Sequence, residues 1–358
     1  MKILMLAWRD MKHPLKGGAE VVTDIYLKGL ASKGHKVTLF SAHVKGLPEN
    51  ETYHGYEIIR RGKRFSVHIK GLIYAKKNQD KYDIIIDQVN TIPFFTPLLI
   101  KREKRIAFFH QLCLNVWFYE TKFPISIIGY LSERLYLNFY NNTKSFVVSN
   151  STKNDLIKYC HAKDKNILIL ENQIDFPIIK KKTKKKKQFV FCARLVKSKR
   201  ANDAISALSM TKDKNAKLII IGDGPEMPNL KRLVKEKGLK KRVEFTGKLN
   251  FDERNKIMSE SLAIVVTSVR EGWGLIVTEA NANMTPAITY DIQGLRDANR
   301  AGIIVKHNNP KEIAKEMDHI ISDPKLSEDL NSSSIEFAKS HRDWQSNIDR
   351  LEQWLAKH

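Results

Sequence analysis

Residues 262–286 read LAIVVTSVREGWGLIVTEANANMTP, and three textures follow one another in that stretch. An unbroken apolar run, Leu262 to Val266, has the length and β-branched content of a buried strand. A turn with Gly272 and Gly274 comes next, where the missing Cβ lets backbone N–H groups come close to a ligand. A helix-like segment then carries Glu279, eight positions after Glu271 in the turn. A helix that opens just behind such a turn aims its positive end at an anion. Two glutamates, one on the turn and one on the helix, are suited to hold sugar hydroxyls. The plainer alternative is a loop with two solvated acids.

The same strand, turn and helix order repeats outward from this stretch. Residues 2–8 form a hydrophobic strand pattern, and Gly17-Gly18 precede a helical pattern with Val22, Ile25, Tyr26 and Leu30 on one face. Gly34 ends that helix, and 37–41 is the next strand. Further strand-like runs occupy 56–60, 83–87, 105–109, 145–149 and 167–170, most of them one helical segment apart. A second series runs through 188–193, 217–221, 242–246, 262–266, 287–290 and 302–305. Helical segments at 199–211, 226–237, 251–260 and 273–283 fill the gaps, and the tail from 309 reads as two or three helices. Alternation of this kind predicts an α/β fold with two Rossmann-like, doubly wound domains facing a cleft. The expected boundaries are 1–172, a basic linker 173–187, and a second domain 188–335. Residues 336–358 are expected to be helices that pack back toward the first domain.

With 358 residues, 42% hydrophobic and 9% aromatic, the chain has globular values and length for two cores. The longest apolar candidate for a membrane span, 83–100, is interrupted by Asp87, Gln88, Asn90 and two prolines. The N-terminus enters a strand pattern at once, without a secretory signal, so a cytoplasmic location is expected. Cys113, Cys160 and Cys192 are far apart, which reads as reduced structural thiols without zinc spacing. The net charge of +23 is uneven: residues 1–172 hold 27 Lys and Arg against 15 Asp and Glu, and 180–187 (KKKTKKKK) adds seven lysines. Like charges at that density suggest an extended linker. A basic first half suggests an anionic partner, for which a membrane surface is favoured over nucleic acid because no nucleic-acid motif is present. Solubility alone is the competing reading.

Other residues fall at strand ends, where doubly wound sheets bind ligands. Gly17-Gly18 sit at the first strand-to-helix turn and permit close approach of a phosphate or sugar, without the three spaced glycines of a dinucleotide fingerprint. His110 follows the strand RIAFF and has the chemistry to donate to a ligand or to act as acid or base. Arg194 ends the first strand of the second domain and Lys199 stands five residues on, a fork and a point charge suited to a diphosphate. Arg200 is available to add to them. Gly222-Asp223-Gly224, in IGDGPE, repeats the strand, glycine turn and helix order on the nucleotide side.

Taken together, Gly17-Gly18-Ala19-Glu20, the segment CARLVKSK, the turn IGDGPE and EGWGLIVTEA resemble glycosyltransferase family 4 over nearly the whole chain. The resemblance implies the GT-B fold and a transferase that retains anomeric configuration, taking its sugar from a nucleotide-diphosphate donor. It implies that Arg194 and Lys199 bind the donor diphosphate, with Gly18, Gly274 and Leu275 beside it. Glu271 and the backbone of Gly272, Trp273, Gly274 and Leu275 would hold the transferred sugar, Glu279 the ribose, and His110 would lie beside the sugar. Glu271, His110, Arg194 and Lys199 are thus the expected catalytic group. Three positions depart from the family pattern: Met284 where a glycine is usual, Asp297 where a glutamate is usual, and Asn172-Gln173 where Asn-Gly is common.

The chain has no Asp-x-Asp pair, so no metal and no other cofactor is expected; the cationic side chains would serve the diphosphate instead. Uridine is the favoured donor base and a hexose the favoured sugar. A GT-B epimerase or phosphorylase and a basic nucleic-acid binder are the alternatives. Residues 116–140, VWFYETKFPISIIGYLSERLYLNFY, are rich in large apolar side chains. With Arg60, Arg61, Lys63, Arg64, Lys70, Lys76 and Lys77 they suggest a surface on the inner face of a membrane and a lipid-linked hydroxyl acceptor. An ordinary core helix over 124–140 is the equal alternative.

Overall fold

A computed structural model describes residues 1–175, 177–178 and 183–358. The chain divides into two compact units: Met1–Leu114 with Ile127–Asn172 and Asp343–His358, and Asn115–Ser126 with Gln173–Arg342.

The first unit is built on β1 (Lys2–Leu6), β2 (Lys36–Ser41), β3 (Asn50–Tyr53), β4 (Tyr56–Arg60), β5 (Ile84–Val89), β6 (Arg105–Phe109), β7 (Lys144–Val147) and β8 (Ile167–Ile169). They form one sheet in the order β3-β4-β2-β1-β5-β6-β7-β8, parallel except where β3 runs against β4. The sequence NETY of β3 has no apolar alternation, so this edge strand escapes a reading by periodicity. The helices up to the second sheet are α1 (Gly18–Ser32), α2 (Ser66–Asn78), α3 (Val116–Glu120), α4 (Ile125–Tyr136) and α5 (Asn150–Cys160). Right-handed crossovers put helices that advance toward β8 on one face and α1, which steps back from β1 to β2, on the other. The cores agree with this. Leu4, Leu6, Ile85, Val67, Ala75 and Phe94 form one cluster under α2. On the opposite face Tyr26 of α1 meets Phe108 and Phe146 edge-on.

The second unit has β9 (Gln188–Cys192), β10 (Lys217–Ile221), β11 (Val243–Gly247), β12 (Ala263–Val266), β13 (Ala287–Tyr290) and β14 (Ile303–Val305), ordered β11-β10-β9-β12-β13-β14 and parallel throughout. Its helices are α6 (Ala201–Met210), α7 (Met227–Glu236), α8 (Phe251–Glu260), α9 (Leu275–Ala282), α10 (Leu295–Ala298), α11 (Pro310–Ser322) and α12 (Pro324–Ser340). The strand order reverses between β9 and β12, which places the turns after those two strands at the ligand crevice of a doubly wound sheet.

The last helix, α13 (Trp344–Ala356), belongs to the first unit. Trp344 meets Tyr26 at 5.4 Å, Lys33 pairs with Asp349 at 2.7 Å and Glu352 at 2.8 Å, and Gly29 leaves room for Ile348. Residues 336–342 stay with the second unit.

The basic segment 173–187 is corrected where it is described; Phe176 and 179–182 lie outside the described residues. Ile174 is buried against Ala282 and Ala338, and its N–H donates to His341 O at 2.7 Å. Lys185 donates to Ser261 O at 2.9 Å and Met284 O at 2.7 Å, Lys186 pairs with Glu260, and Lys187 pairs with Asp213 at 3.1 Å. These bonds tie Lys185, Lys186 and Lys187 to the N-terminal ends of the central strands; the Lys185 ammonium is taken up by carbonyl oxygens, and the Lys186 and Lys187 side chains stay 60% and 62% exposed. Among the described residues no helix is long and apolar enough to cross a membrane.

Candidate active site

The reversal point of the second sheet gathers the residues singled out in 194–199 and 267–279. Backbone bonds set the spacing. Val269 N–H donates to Ser198 O at 2.8 Å, and Thr267 Oγ1 donates to Lys199 O at 3.1 Å and Arg200 O at 2.9 Å. These bonds lay the turn after β9 along the turn after β12. The Lys199 ammonium consequently donates to Glu271 Oε1, which also accepts from Ser268 Oγ at 2.7 Å. A half-buried lysine and glutamate in direct contact form a pair that a phosphate and a sugar hydroxyl can take over from each other.

Arg194 is exposed, and among the described residues no carboxylate pairs with it. Its position is fixed by its neighbours. Ala193 N–H donates to Ile221 O at 3.1 Å, Leu195 N–H to Asp223 O at 2.9 Å, and Glu226 N–H to Leu195 O at 3.0 Å. A Cβ at Gly222 would stand 2.0 Å from Ala193 O, and one at Gly224 2.3 Å from Leu195 O. The glycines of Gly222-Asp223-Gly224 are therefore required to press this turn against the backbone on both sides of Arg194. Arg200 is corrected: its guanidinium is committed to Asp203 at 2.8 Å, so it is not a free cation beside Arg194.

Gly274 takes a left-handed backbone, φ 96°, immediately before α9, and its neighbour Leu275 opens that helix. The first amides of a helix have no partner inside it and carry its positive end. Gly272 is buried and contributes backbone only. The Trp273 indole is 2% exposed and lies under Arg300 at 5.9 Å, so its ring fills the core beneath the turn and only its backbone is left to the turn itself. Glu279 lies one turn into α9, where Arg254 of α8 holds its carboxylate at 2.8 Å. Burial pushes the Glu279 carboxyl above the ordinary range, and the Arg254 guanidinium opposes that shift.

In the first unit, Gly17 precedes α1 and Gly18 is its first residue. Gly17 N–H donates to Glu20 Oε2 at 2.5 Å, and Glu20 Oε1 accepts from Arg9 Nε at 2.9 Å, so a buried ion pair holds this loop. A Cβ at Gly17 would meet only Glu20, at 3.6 Å, and its backbone is extended; nothing in the fold of this turn demands glycine there. His110 follows β6, and its Nε2 lies 3.0 Å from the Gln88 amide nitrogen, which also donates to Thr23. An amide nitrogen only donates, so Nε2 accepts and the proton sits on Nδ1. Burial pushes the His110 pKa down to about 3. The expectation of acid–base work near neutral pH is thereby corrected: His110 is a neutral ring with an Nδ1–H to offer.

Two residues escape the sequence reading. Ser268 supports Glu271, and Arg254 supports Glu279; a serine in a turn and one arginine on a charged helix carry no distinguishing pattern.

Comparison with known proteins agrees with the fold on which these residues sit. Residues 16–176 match the family described as Glycosyltransferase Family 4, and residues 172–337 match Glycosyl transferases group 1. An uncharacterized glycosyltransferase of Methanocaldococcus jannaschii is 25% identical over 90% of this chain and 90% of its own. Sucrose-phosphate synthase from Thermosynechococcus elongatus superposes with a TM-score of 0.81 at 17% identity, over 99% of this chain and 98% of its own. Anabaena HepE, solved in complex with UDP and glucose, superposes with a TM-score of 0.76 at 17% identity over the full length of both chains. With both halves matched in sequence and the whole chain matched in fold, the chain is a family 4-type glycosyltransferase built on the GT-B fold.

Proposed function

We propose that this glycosyltransferase moves a hexose from a UDP-sugar to a hydroxyl of a glycolipid or cell-envelope polysaccharide precursor, with retention of configuration and without a metal. The observation that carries the reading is the contact of Lys199 with Glu271, on the same pair of turns as Arg194, for which the described residues offer no carboxylate, and as the open end of α9. The UDP bound to HepE supports the choice of base.

In this reading Arg194, Lys199 and the amides of Gly274 and Leu275 take the diphosphate. The bond from the sugar's anomeric carbon to the phosphate oxygen breaks as negative charge grows on the leaving group, which these groups stabilise. The acceptor oxygen bonds to the same face of that carbon, and its proton passes to the departing diphosphate. Glu271 and the backbone of Gly272 orient the sugar, Glu279 takes the ribose hydroxyls, and in the first unit the Nδ1–H of His110 and the Gly18 amide serve the acceptor. The protein acts in the cytoplasm, peripheral to the inner face of the membrane.

The test is release of nucleoside diphosphate from UDP-glucose and UDP-N-acetylglucosamine in the presence of a membrane lipid extract and EDTA. The reading requires release that depends on the extract and falls ~100–1000-fold in Arg194→Ala and Lys199→Ala. Full turnover by both variants would refute the diphosphate assignment, and loss of turnover in EDTA would refute the metal-free one.

A further inference from the structure

The helix over 124–140 is not a core helix in the ordinary sense. One side of α4 is buried, through Tyr136 and, in the turn that follows, Leu137, with Glu133 accepting from the N–H groups of Cys113 at 2.7 Å and Leu114 at 2.6 Å. The other side carries Ile128, Leu131 and Leu135, 61%, 53% and 70% exposed, at helical spacing. Phe139 continues that face into the turn that follows. Phe65, just before α2, and Ile69 and Ile73 on it form a second exposed row.

Both helices advance toward β8, so right-handed crossover puts them on the same face of the first sheet. The segment between them is clamped to that face. Asp87 at the floor accepts from Phe94 N–H at 2.9 Å, Thr96 N–H at 3.1 Å and Tyr140 Oη at 2.5 Å. Phe95 meets Tyr136 at 5.5 Å, and the next residues out, Leu98 and Leu99, are exposed. The apolar rows therefore belong to one side of the first unit.

Charge decides what this side meets. Residues 63–78 contain Lys63, Arg64, Lys70, Lys76 and Lys77 and no carboxylate, and the only acid in 121–139 is the buried Glu133. Asp80 and Glu103 border the face, with Asp80 3.8 Å from Lys104. A second protein with an apolar patch would not need this one-signed rim; an anionic bilayer surface would attract it.

The geometry points to a preformed docking face for anionic phospholipid, in which Ile128, Leu131, Leu135 and Phe139 enter the headgroup boundary and the lysines of α2 contact lipid phosphates. This extends the lipid-linked acceptor reading to a defined surface. It leaves the donor residues untouched, so the two stand or fall separately.

The test is co-sedimentation of the full chain with vesicles of phosphatidylcholine alone and of phosphatidylcholine mixed with phosphatidylglycerol, together with sedimentation of the lipid-free protein. The wild-type chain is expected to pellet with the anionic vesicles and to stay in the supernatant with the neutral ones. Lys70→Ala, Lys76→Ala and Lys77→Ala combined are expected to weaken binding on the order of a hundredfold, about fivefold per lysine. Leu131→Gln with Leu135→Gln is expected to weaken it at least ~tenfold. All these side chains are exposed, and an unchanged circular dichroism spectrum and thermal midpoint verify that the first unit is folded in each variant. Equal binding to both vesicle types, no binding to either, or a lipid-free dimer that the leucine variant dissolves would each overturn the docking face. A protein that turns over donor yet ignores vesicles leaves the transferase reading intact.

Discussion

Met284 has a backbone φ of +52°, a left-handed conformation that costs a non-glycine residue ~1–2 kcal/mol. The glycine usual at this place in family 4 sequences thus has a local physical reason, and the methionine here is strained. A β-branched side chain tolerates this backbone worst. We expect the stability order Met284→Gly at or above wild type, and wild type above Met284→Val, read from denaturant midpoints; a valine variant as stable as wild type would contradict it. His110 offers a second test. Above about pH 6.5 the ring is neutral folded and unfolded alike. As pH falls below that value the unfolded chain takes up a proton that the folded chain refuses until about pH 3, so stability is lost on acidification. Between pH 7 and 5 the wild type should lose roughly 2 kcal/mol more than His110→Gln. The same neutrality means that no limb near pH 6.5 in kcat/KM belongs to His110, and a limb that vanishes in His110→Gln would contradict it. Both residues were visible in the sequence. Their states were not, since one depends on a dihedral angle and the other on what buries it.

At the scale of elements, strands were legible wherever a parallel sheet buries both faces, because runs such as KLIII and AIVV admit little else. The polar edge strand β3 was not. Charge misled at Lys185, since a lysine inside a lysine run reads as solvated until the carbonyl partners from other elements are known. Among glycine turns, IGDGPE was legible as a motif but not as a device. Its glycines matter because the turn is pressed on the backbone around Arg194. Gly224→Ala should therefore cost about 1–3 kcal/mol of stability through overpacking. It should also weaken donor binding although residue 224 carries no side chain to lose. Unchanged donor affinity in a destabilised variant would make the turn a packing feature only.

For the molecule as a whole, two doubly wound units were readable from alternation, and the return of α13 to the first unit rests on contacts such as Tyr26 with Trp344 that no periodicity announces. The division of labour between units follows the strand order. The second sheet reverses between β9 and β12, and Arg194, Lys199 and Glu271 all stand on the two turns at that point. In the proposed function this point holds the diphosphate of a nucleotide sugar. Calorimetric titration of UDP and UDP-glucose into the wild-type chain and into Arg194→Ala/Lys199→Ala tests it most directly. The wild type is expected to bind both and, with two charge-assisted contacts of about 1.5–3 kcal/mol each removed, the double variant to lose at least ~hundredfold in affinity. Equal affinity in both proteins, or no affinity of the wild type for any nucleoside diphosphate or its sugar, would contradict it.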